Sequence, residues 1–308
     1  MEPKVIVIAG PTCSGKTNVS LMLAERINAE IISADSRQVY RHLDIGTAKP
    51  GKDQLAKTKH YFIDILEPDE EFNASKFENE ALAVIQDIIL RNKVPVVVGG
   101  SGLYIKALVD GIFDAVGVDS EYRRTMNVMR VKFGNEFLFS ELKKVDPVSA
   151  AKMLPQNWKR VMRALEVYHL TGKPIGAYHS EHKRTTEFSF RQYGLRWDRN
   201  LLYENIERRV DEMIEMGLID EVREILKMNF DEALNSLNTV GYKEIISYLN
   251  GSLSLERAIG LIKRNTRRYA KRQLTWFRPD DRIIWFDVKD KNSLSSIADE
   301  IIFREKLA

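Results

Sequence analysis

Residues 5–17 read VIVIAGPTCSGKT, and this stretch decides the fold. Residues 5–9 are a short β-branched run with the length and composition of a buried parallel strand. Gly10-Pro11-Thr12-Cys13-Ser14-Gly15-Lys16-Thr17 then fits G-x-x-x-x-G-K-[ST]. Residues 16–28 follow with apolar positions at Leu21, Leu23, Ala24 and Ile27, which suit a helix packed on a sheet. Strand, glycine loop and helix in this order are the context in which such a loop holds phosphate. Gly10 and Gly15 let the backbone curl until successive N–H groups face one centre. The helix beginning near Lys16 aims its positive dipole end at the same place. Lys16 adds a mobile charge there, and the Thr17 hydroxyl is a candidate ligand for Mg²⁺. A glycine turn without a ligand is the competing reading, and the flanking strand and helix argue against it.

Working outward, residues 30–34, 61–65 and 94–98 read as further strands, with a helix over 74–92. Strands alternating with helices predict an α/β fold with a parallel sheet. Ligands of such sheets bind at the carboxyl ends of strands, so the loops after Ala9, Ala34 and Val98 should share one cleft. Beyond Gly111 the strand signal stops. Residues 111–187 read as helices punctuated by Gly134, Pro147, Pro155, Gly172 and Pro174, and are expected to form an all-helical insertion. Strand character returns at 190–197 and 282–288. Helices are expected between them at 199–216, 218–228 and 254–277.

The chain has 308 residues, of which 44% are apolar and 30% charged, enough to bury a core and to exclude disorder as the dominant state. The single cysteine, Cys13, excludes a disulfide framework and a zinc ribbon. No apolar run approaches the roughly 20 residues of a membrane span. Met1-Glu2-Pro3-Lys4 leads straight into the first strand without a secretory signal, so cytosolic residence is the expectation. The net charge of +3 is too weak to name a partner, but its distribution is informative. Residues 262–278, IKRNTRRYAKRQLTWFR, hold seven bases and no acid. In helical projection the bases from Lys263 to Arg272 fall within about 180°. Ile262, Tyr269, Ala270, Trp276 and Phe277 fall on the other side and are expected to be buried. A phosphate backbone is the natural partner of the cationic face. An anionic membrane surface is second, and no lipidation motif supports it.

A phosphate loop does not say which phosphate. Motor-type ATPases add a strand ending in a metal-binding Asp. Here residues 94–98 end instead in Gly99-Gly100-Ser101-Gly102. The strand that does end in an acid is 30–34, followed by Asp35-Ser36-Arg37-Gln38. Asp35 at a strand's carboxyl end can take a proton from a nucleophile or simply cap a turn. A metal-holding Asp35 suits a hydrolase, and a substrate-facing one suits a small transferase. Ser101 places a hydroxyl in a glycine-rich turn, a weak signal alone.

The remaining motifs fall in an order that closely resembles the bacterial tRNA dimethylallyltransferases, or tRNA isopentenyltransferases, of the IPP transferase family. The resemblance runs through nearly the whole chain. It rests on DSRQ at 35–38, DIGTAKP at 44–50, RALEV at 163–167, VGYKE at 240–244 and KRQLTWFR at 271–278, besides the less specific phosphate loop. It implies a P-loop NTPase-like, kinase-like catalytic core of 1–110 and 188–308, a helical insertion at 111–187 that grips a tRNA anticodon stem, and a basic C-terminal helical region. It implies transfer of a dimethylallyl group from dimethylallyl diphosphate to N6 of adenosine 37, beside the anticodon of tRNAs reading UNN codons, with Mg²⁺ as cofactor.

On the same resemblance, Gly10 to Thr17 and Arg209 hold diphosphate, and Lys16, Arg209, Asp35 and Ser101 are catalytic. RNA contact is assigned to Asp35, Ser36, Arg37, Gln38, Ser101, Arg123, Lys159, Arg160, Val161, Met162 and Arg163. It is assigned also to Asn238, Thr239, Val240, Gly241, Tyr242, Lys243, Lys271, Arg272, Gln273 and Arg278. Ser101 should lie beside the target base. Cys13 replaces a commoner small residue and is expected to pack outward. Ser101 stands where most members carry Thr, and Trp158 where a polar residue or proline is expected. No Cys-His cluster follows the basic helix, so the zinc finger of eukaryotic members is not expected. One tRNA needs one cleft, which suggests a monomer without an obligate protein partner and without a membrane. The alternatives are a P-loop kinase of a nucleotide or small metabolite, a dimethylallyltransferase of free AMP, and a non-catalytic tRNA-binding module.

Overall fold

The computed structural model describes residues 2–112, 117–181 and 187–307. The two junctions of the expected insertion, at 113–116 and 182–186, lie outside the described residues. Contacts divide the chain into one compact unit of Met1–Val109 with Thr186–Ala308 and another of Asp110–Thr185.

The first unit begins with β1 (Lys4–Ala9), α1 (Lys16–Ile27), β2 (Ala29–Ser33), α2 (Lys52–Lys57), β3 (His60–Tyr61), α3 (Ala74–Leu90), β4 (Val94–Gly99) and α4 (Gly102–Asp110). The helices of the second unit are α5 (Ser120–Phe133), α6 (Asn135–Val145), α7 (Pro147–Ala150), α8 (Trp158–Thr171) and α9 (Ile175–Glu181). The first unit resumes with β5 (Ser189–Trp197), α10 (Arg199–Glu215), α11 (Leu218–Lys227), α12 (Tyr242–Leu249), α13 (Leu255–Phe277), β6 (Ile284–Val288) and α14 (Ser293–Glu305).

The strands form one parallel sheet in the order β3-β2-β4-β1-β5-β6. Val5 to Ala9 are fully buried, as the unbroken apolar run of a central parallel strand requires. One face is closed by α1 and α14, whose Leu23, Ile297 and Ile301 pack with Ile6, Ile8 and Tyr193. Because β1, β4 and β2 are neighbours, the loops after Ala9, Ala34 and Val98 leave the same edge side by side.

The strand expected at 61–65 is a correction. Only His60–Tyr61 pair in the sheet. Phe62 and Asp64 take φ of 62° and 54°, which no strand can hold, and Ile65 and Leu66 donate instead to Val39 O. The Gly99–Gly102 turn runs directly into α4, a helix not foreseen, and α12 and α14 were hidden as well.

In the second unit, α6 and α8 bury Leu138, Leu142, Val161, Ala164 and Leu165. Val161 and Met162, expected to touch RNA, are 0% and 6% exposed, so their side chains belong to this core instead. Glu166 is fully buried. Its carboxylate accepts from Arg123 at 2.7 Å, Arg163 at 2.6 Å and the Asp119 N–H at 2.9 Å. Burial pushes the Glu166 carboxyl up, but these donors outweigh it and hold it below the usual carboxylate range. Two of the bases assigned to RNA thus anchor the unit's own core. Lys159 and Arg160 remain exposed. Trp158, at an unexpected position, lies under the Arg130 guanidinium at 4.1 Å and the Lys159 ammonium at 5.6 Å. Among the described residues, no helix is long and apolar enough to cross a membrane.

Gly99 closes β4 where the chain after β2 passes it, and a Cβ there would stand 2.1 Å from Ala34 O. Backbone cannot yield as a flexible side chain can. Gly99→Ala is expected to cost about 1–3 kcal/mol, read as a lower urea midpoint with an unchanged slope.

Candidate active site

The phosphate loop joins β1 to α1 through positive φ at Gly10, Cys13 and Gly15, of 143°, 61° and 92°. A Cβ on Gly10 would also press on Leu195 O of β5 at 3.0 Å. Lys16 reaches back across the loop and donates to Pro11 O at 2.6 Å. Burial lowers its pKa to about 8, against the opposing pull of the Asp35 charge. The Ser14 hydroxyl is buried and, among the described residues, has no hydrogen-bond partner. A desolvated ammonium and an orphaned buried hydroxyl in one glycine loop are what an anion would satisfy.

Gln273 of α13 holds this loop in place. Its amide oxygen accepts from Thr12 N–H at 2.8 Å and its amide nitrogen donates to Gly100 O at 2.9 Å. Gln273 was expected to touch RNA, but its amide is engaged inside the protein. Cys13 is also a correction. Its side chain turns inward against Leu202, Ile206 and Ala270 rather than outward, and burial pushes its thiol up, keeping it protonated.

Asp35 follows β2. One carboxylate oxygen accepts from Arg37 N–H at 2.9 Å, the turn-capping role. Among the described residues nothing donates a hydrogen bond to the other oxygen, so the same group can cap its turn and still accept a proton. Ser101 does not lie in the cavity wall. Its hydroxyl accepts from Ser36 N–H at 3.0 Å and lies 3.3 Å from the Ser36 hydroxyl. It fastens the 35–38 turn that carries Asp35. Gln38 donates to Thr47 O and Ala48 O and accepts from the Ser33 hydroxyl. Arg37 donates to Asn235 O at 2.7 Å.

A cavity of about 380 Å³ opens over these loops, at the lower end of the ~300–1,000 Å³ usual for ligand sites. Its walls bring together Thr12 to Thr17, Asp35 to Gln38, Arg209, Asn238 to Gly241, Lys243, Arg272 and Gln273. Arg209 sits on α10, which Asp198 caps by accepting from Asn200 and Leu201 N–H. Its charge is felt at both Cys13 and Lys16. Tyr242, Lys271 and Arg278 are not in the wall. Tyr242 is fully buried and donates to Glu221 at 2.6 Å, so it is an internal post rather than an RNA contact.

The basic helix divides its charges. Lys263 pairs with Asp211 at 2.7 Å and Arg267 with Glu207, both acids lying on α10. A face acid-free in its own sequence is thus partly neutralised by its neighbour. Arg264, Arg268, Lys271, Arg272 and Arg278 stay exposed. Ile262, Ala270 and Phe277 are buried as expected, but Trp276 is 39% exposed beside Gly102. Tyr269 lines the cavity rather than the core, and burial, reinforced by the Asp35 charge, pushes its hydroxyl up. Thr266, Met213, His60, Ile63, Thr47, Ala48 and Pro50 also line it and were missed. The spacing of Ile262, Thr266, Tyr269 and Gln273 was the available signal, since it marks one helix face turned to the cleft.

Residues 38–280 match the IPP transferase family. The chain belongs to that family. A curated relative from Pelotomaculum thermopropionicum, a tRNA dimethylallyltransferase, is 46% identical over 302 residues, covering 97% of this chain and 95% of the relative. A solved tRNA isopentenylpyrophosphate transferase from Bacillus halodurans is 39% identical at a TM-score of 0.72, covering 100% of this chain and 98% of that one. A solved eukaryotic dimethylallyltransferase, described as acting on tRNA, is 30% identical at a TM-score of 0.85, covering 99% of this chain and 80% of that one. The IPP transferase family thus shares both the sheet and the helical unit seen here.

Lys16 gives the phosphate site a pH signature. Below about 8 it is an ammonium and attracts an anion, and above that it is neutral. Affinity for inorganic diphosphate should therefore fall as pH rises through this value, and binding there should take up a proton. Calorimetry in buffers of different ionisation enthalpy should show an uptake that Lys16→Gln abolishes.

Proposed function

We propose that this chain transfers a dimethylallyl group from dimethylallyl diphosphate to N6 of adenosine 37 in tRNAs that read UNN codons. The observation that carries this reading is one cavity holding an anion loop and, across β4, a carboxylate with a free oxygen. The family membership supports the prenyl donor and the tRNA acceptor. In the reaction the allylic C–O bond breaks, a C–N bond forms, diphosphate leaves and N6 loses a proton. The loop N–H groups, Lys16 and Arg209 face the oxygens on which negative charge develops. The exocyclic nitrogen is a poor nucleophile because its lone pair is delocalised into the purine. Asp35 orients that nitrogen and accepts its proton, a contribution of about 10²–10⁴-fold.

The residues present fit a magnesium ion that arrives with the donor. Thr17 turns to the cavity, and among the described residues no group of three His, Cys, Asp or Glu could hold an ion unaided. Magnesium commonly takes one or two protein ligands and completes its shell with phosphate and water. Bound beside Thr17, it would supply positive charge to the diphosphate.

The acceptor adenine must leave its stack, at a cost of a few kcal/mol. Lys243, Arg272, Lys271 and Arg278 are exposed bases of the first unit that would hold the flanking phosphates. Taken by itself, the second unit offers Lys159 and Arg160 as exposed bases suited to a phosphate backbone. One tRNA needs one cleft, which argues for a monomer, and cytoplasmic tRNA is the expected partner. A kinase reading does not account for the carboxylate opposite the loop together with the bases of α13.

Purified protein with unmodified tRNA, labelled dimethylallyl diphosphate and Mg²⁺ should label the tRNA without ATP. Asp35→Ala should lower turnover by about 10²-fold or more while tRNA binding survives. Phosphate transfer from ATP without prenyl transfer would defeat this reading, and capture of the label by free AMP in competition with tRNA would point to the AMP enzyme instead.

A further inference from the structure

The motif at 44–50 takes no part in phosphate binding or proton transfer, yet Gly46, Thr47, Ala48 and Pro50 line the cavity. It follows β2, and β4 separates β2 from the strand that carries the phosphate loop. It therefore walls the acceptor side.

This wall is held from outside the cavity. Glu221 of α11 places one carboxylate oxygen 2.7 Å from Ile45 N and 3.2 Å from Asp44 N. Its other oxygen accepts from Gly46 N–H at 3.2 Å and from the Tyr242 hydroxyl at 2.6 Å. Three successive N–H groups converging on one anion form a nest. A Cβ on Gly46 would stand 2.4 Å from the Tyr242 ring, so the loop rests directly on that side chain. Lys49, its ammonium almost buried, ties the loop's end to Tyr40 O at 2.9 Å and to Asp44 and Asp64. Ala48 takes a φ of 51°, a left-handed conformation that persists only where neighbours impose it. Tyr242 opens α12, and residues 238–241 just before it form another part of the cavity wall. One carboxylate thus joins two walls.

We propose that Glu221 is a positioning residue which, by gripping the nest at 44–46 and the Tyr242 hydroxyl, fixes the width of the slot through which the acceptor base reaches Asp35. The inference rests on the reading of the acceptor as an adenine of RNA. A planar base must present its amino nitrogen in line with the allylic carbon, and a displacement of about 1 Å can cost ~10²-fold. The donor's anion contacts lie on the other side of β4 and do not pass through Glu221.

Glu221→Gln keeps the side chain's size but turns an amide N–H₂ toward one pair of donors. Gly46→Ala pushes on Tyr242 from the opposite side, and Glu221→Ala removes the grip. Each is assayed with unmodified anticodon stem-loop RNA and dimethylallyl diphosphate. For the Gln variant, kcat/KM for RNA should fall at least about tenfold, with KM for the allyl donor and affinity for inorganic diphosphate kept within about twofold. The loss should be larger in Glu221→Ala and should recur in Gly46→Ala. If Glu221→Ala does not fold, the other two variants decide the matter. Unchanged RNA kinetics, or equal losses for RNA and diphosphate, would overturn the proposal. A wild-type protein that prenylates no RNA refutes the functional reading instead, whereas an active wild type with an indifferent Gln variant refutes only this inference.

Discussion

The bidentate amide of Gln273 is the contact on which the site depends. It takes the N–H of Thr12 and gives to the carbonyl of Gly100. Those groups belong to the loops after β1 and β4, and Gln273 belongs to α13. One side chain therefore sets the distance between the anion loop, the turn behind Asp35 and the basic helix. Neither a glutamate nor a lysine could replace it, because a carboxylate could not donate and an ammonium could not accept. Gly100 has no room for a side chain, since a Cβ there would lie 2.1 Å from the Gln273 amide nitrogen. The glycine doublet at 99–100 is thus explained twice, by the backbone of Ala34 against Gly99 and by this amide against Gly100.

Much of this was legible in the residues. The first strand, loop and helix stand where the phosphate pattern put them, because a glycine loop between an apolar run and an amphipathic run has few other solutions. The parallel sheet followed from the alternation, and the cleft followed from the sheet. What stayed hidden was long-range. Residues 61–65 have strand composition, but Phe62 and Asp64 turn the chain toward Val39, a partner that propensity does not see. Val161 and Met162 sit among bases in sequence and inside a core in space. Ser101 and Gln273 were assigned to RNA on resemblance, and in sequence a hydroxyl or an amide looks the same whether it binds substrate or holds a loop. Glu221 gave no signal, since a glutamate in the first turn of a helix is ordinary at the dipole's positive end. Its importance comes from three backbone donors more than 170 residues away in sequence.

Charge has a similar history. Counting bases found the cationic helix but could not tell which cations are already paired. Lys263 and Arg267 are satisfied by α10, and Arg123 and Arg163 by the buried Glu166. An arginine so engaged would have to break a short ion pair before meeting a phosphate. A free exposed base gives up only water. Among the described residues Arg268, Lys271, Arg272 and Arg278 of the first unit have no ion-pair partner, and attraction for a polyanion rests chiefly on them.

The sheet order then explains why the two halves of the chemistry do not interfere. A leaving diphosphate needs many donors close together, and an attacking nitrogen needs an acceptor nearby. Placed side by side, the acceptor carboxylate and the departing anion would repel each other. With β4 between β1 and β2, Asp35 is near enough for its charge to be felt at Lys16, while one strand's width separates the loops that bear them. Lys16 feels the Asp35 charge from one side and belongs to the anion loop on the other. A lysine whose charge is poised near neutrality by burial can be fully charged when an anion arrives, and the same desolvation that lowers its pKa strengthens its attraction for that anion.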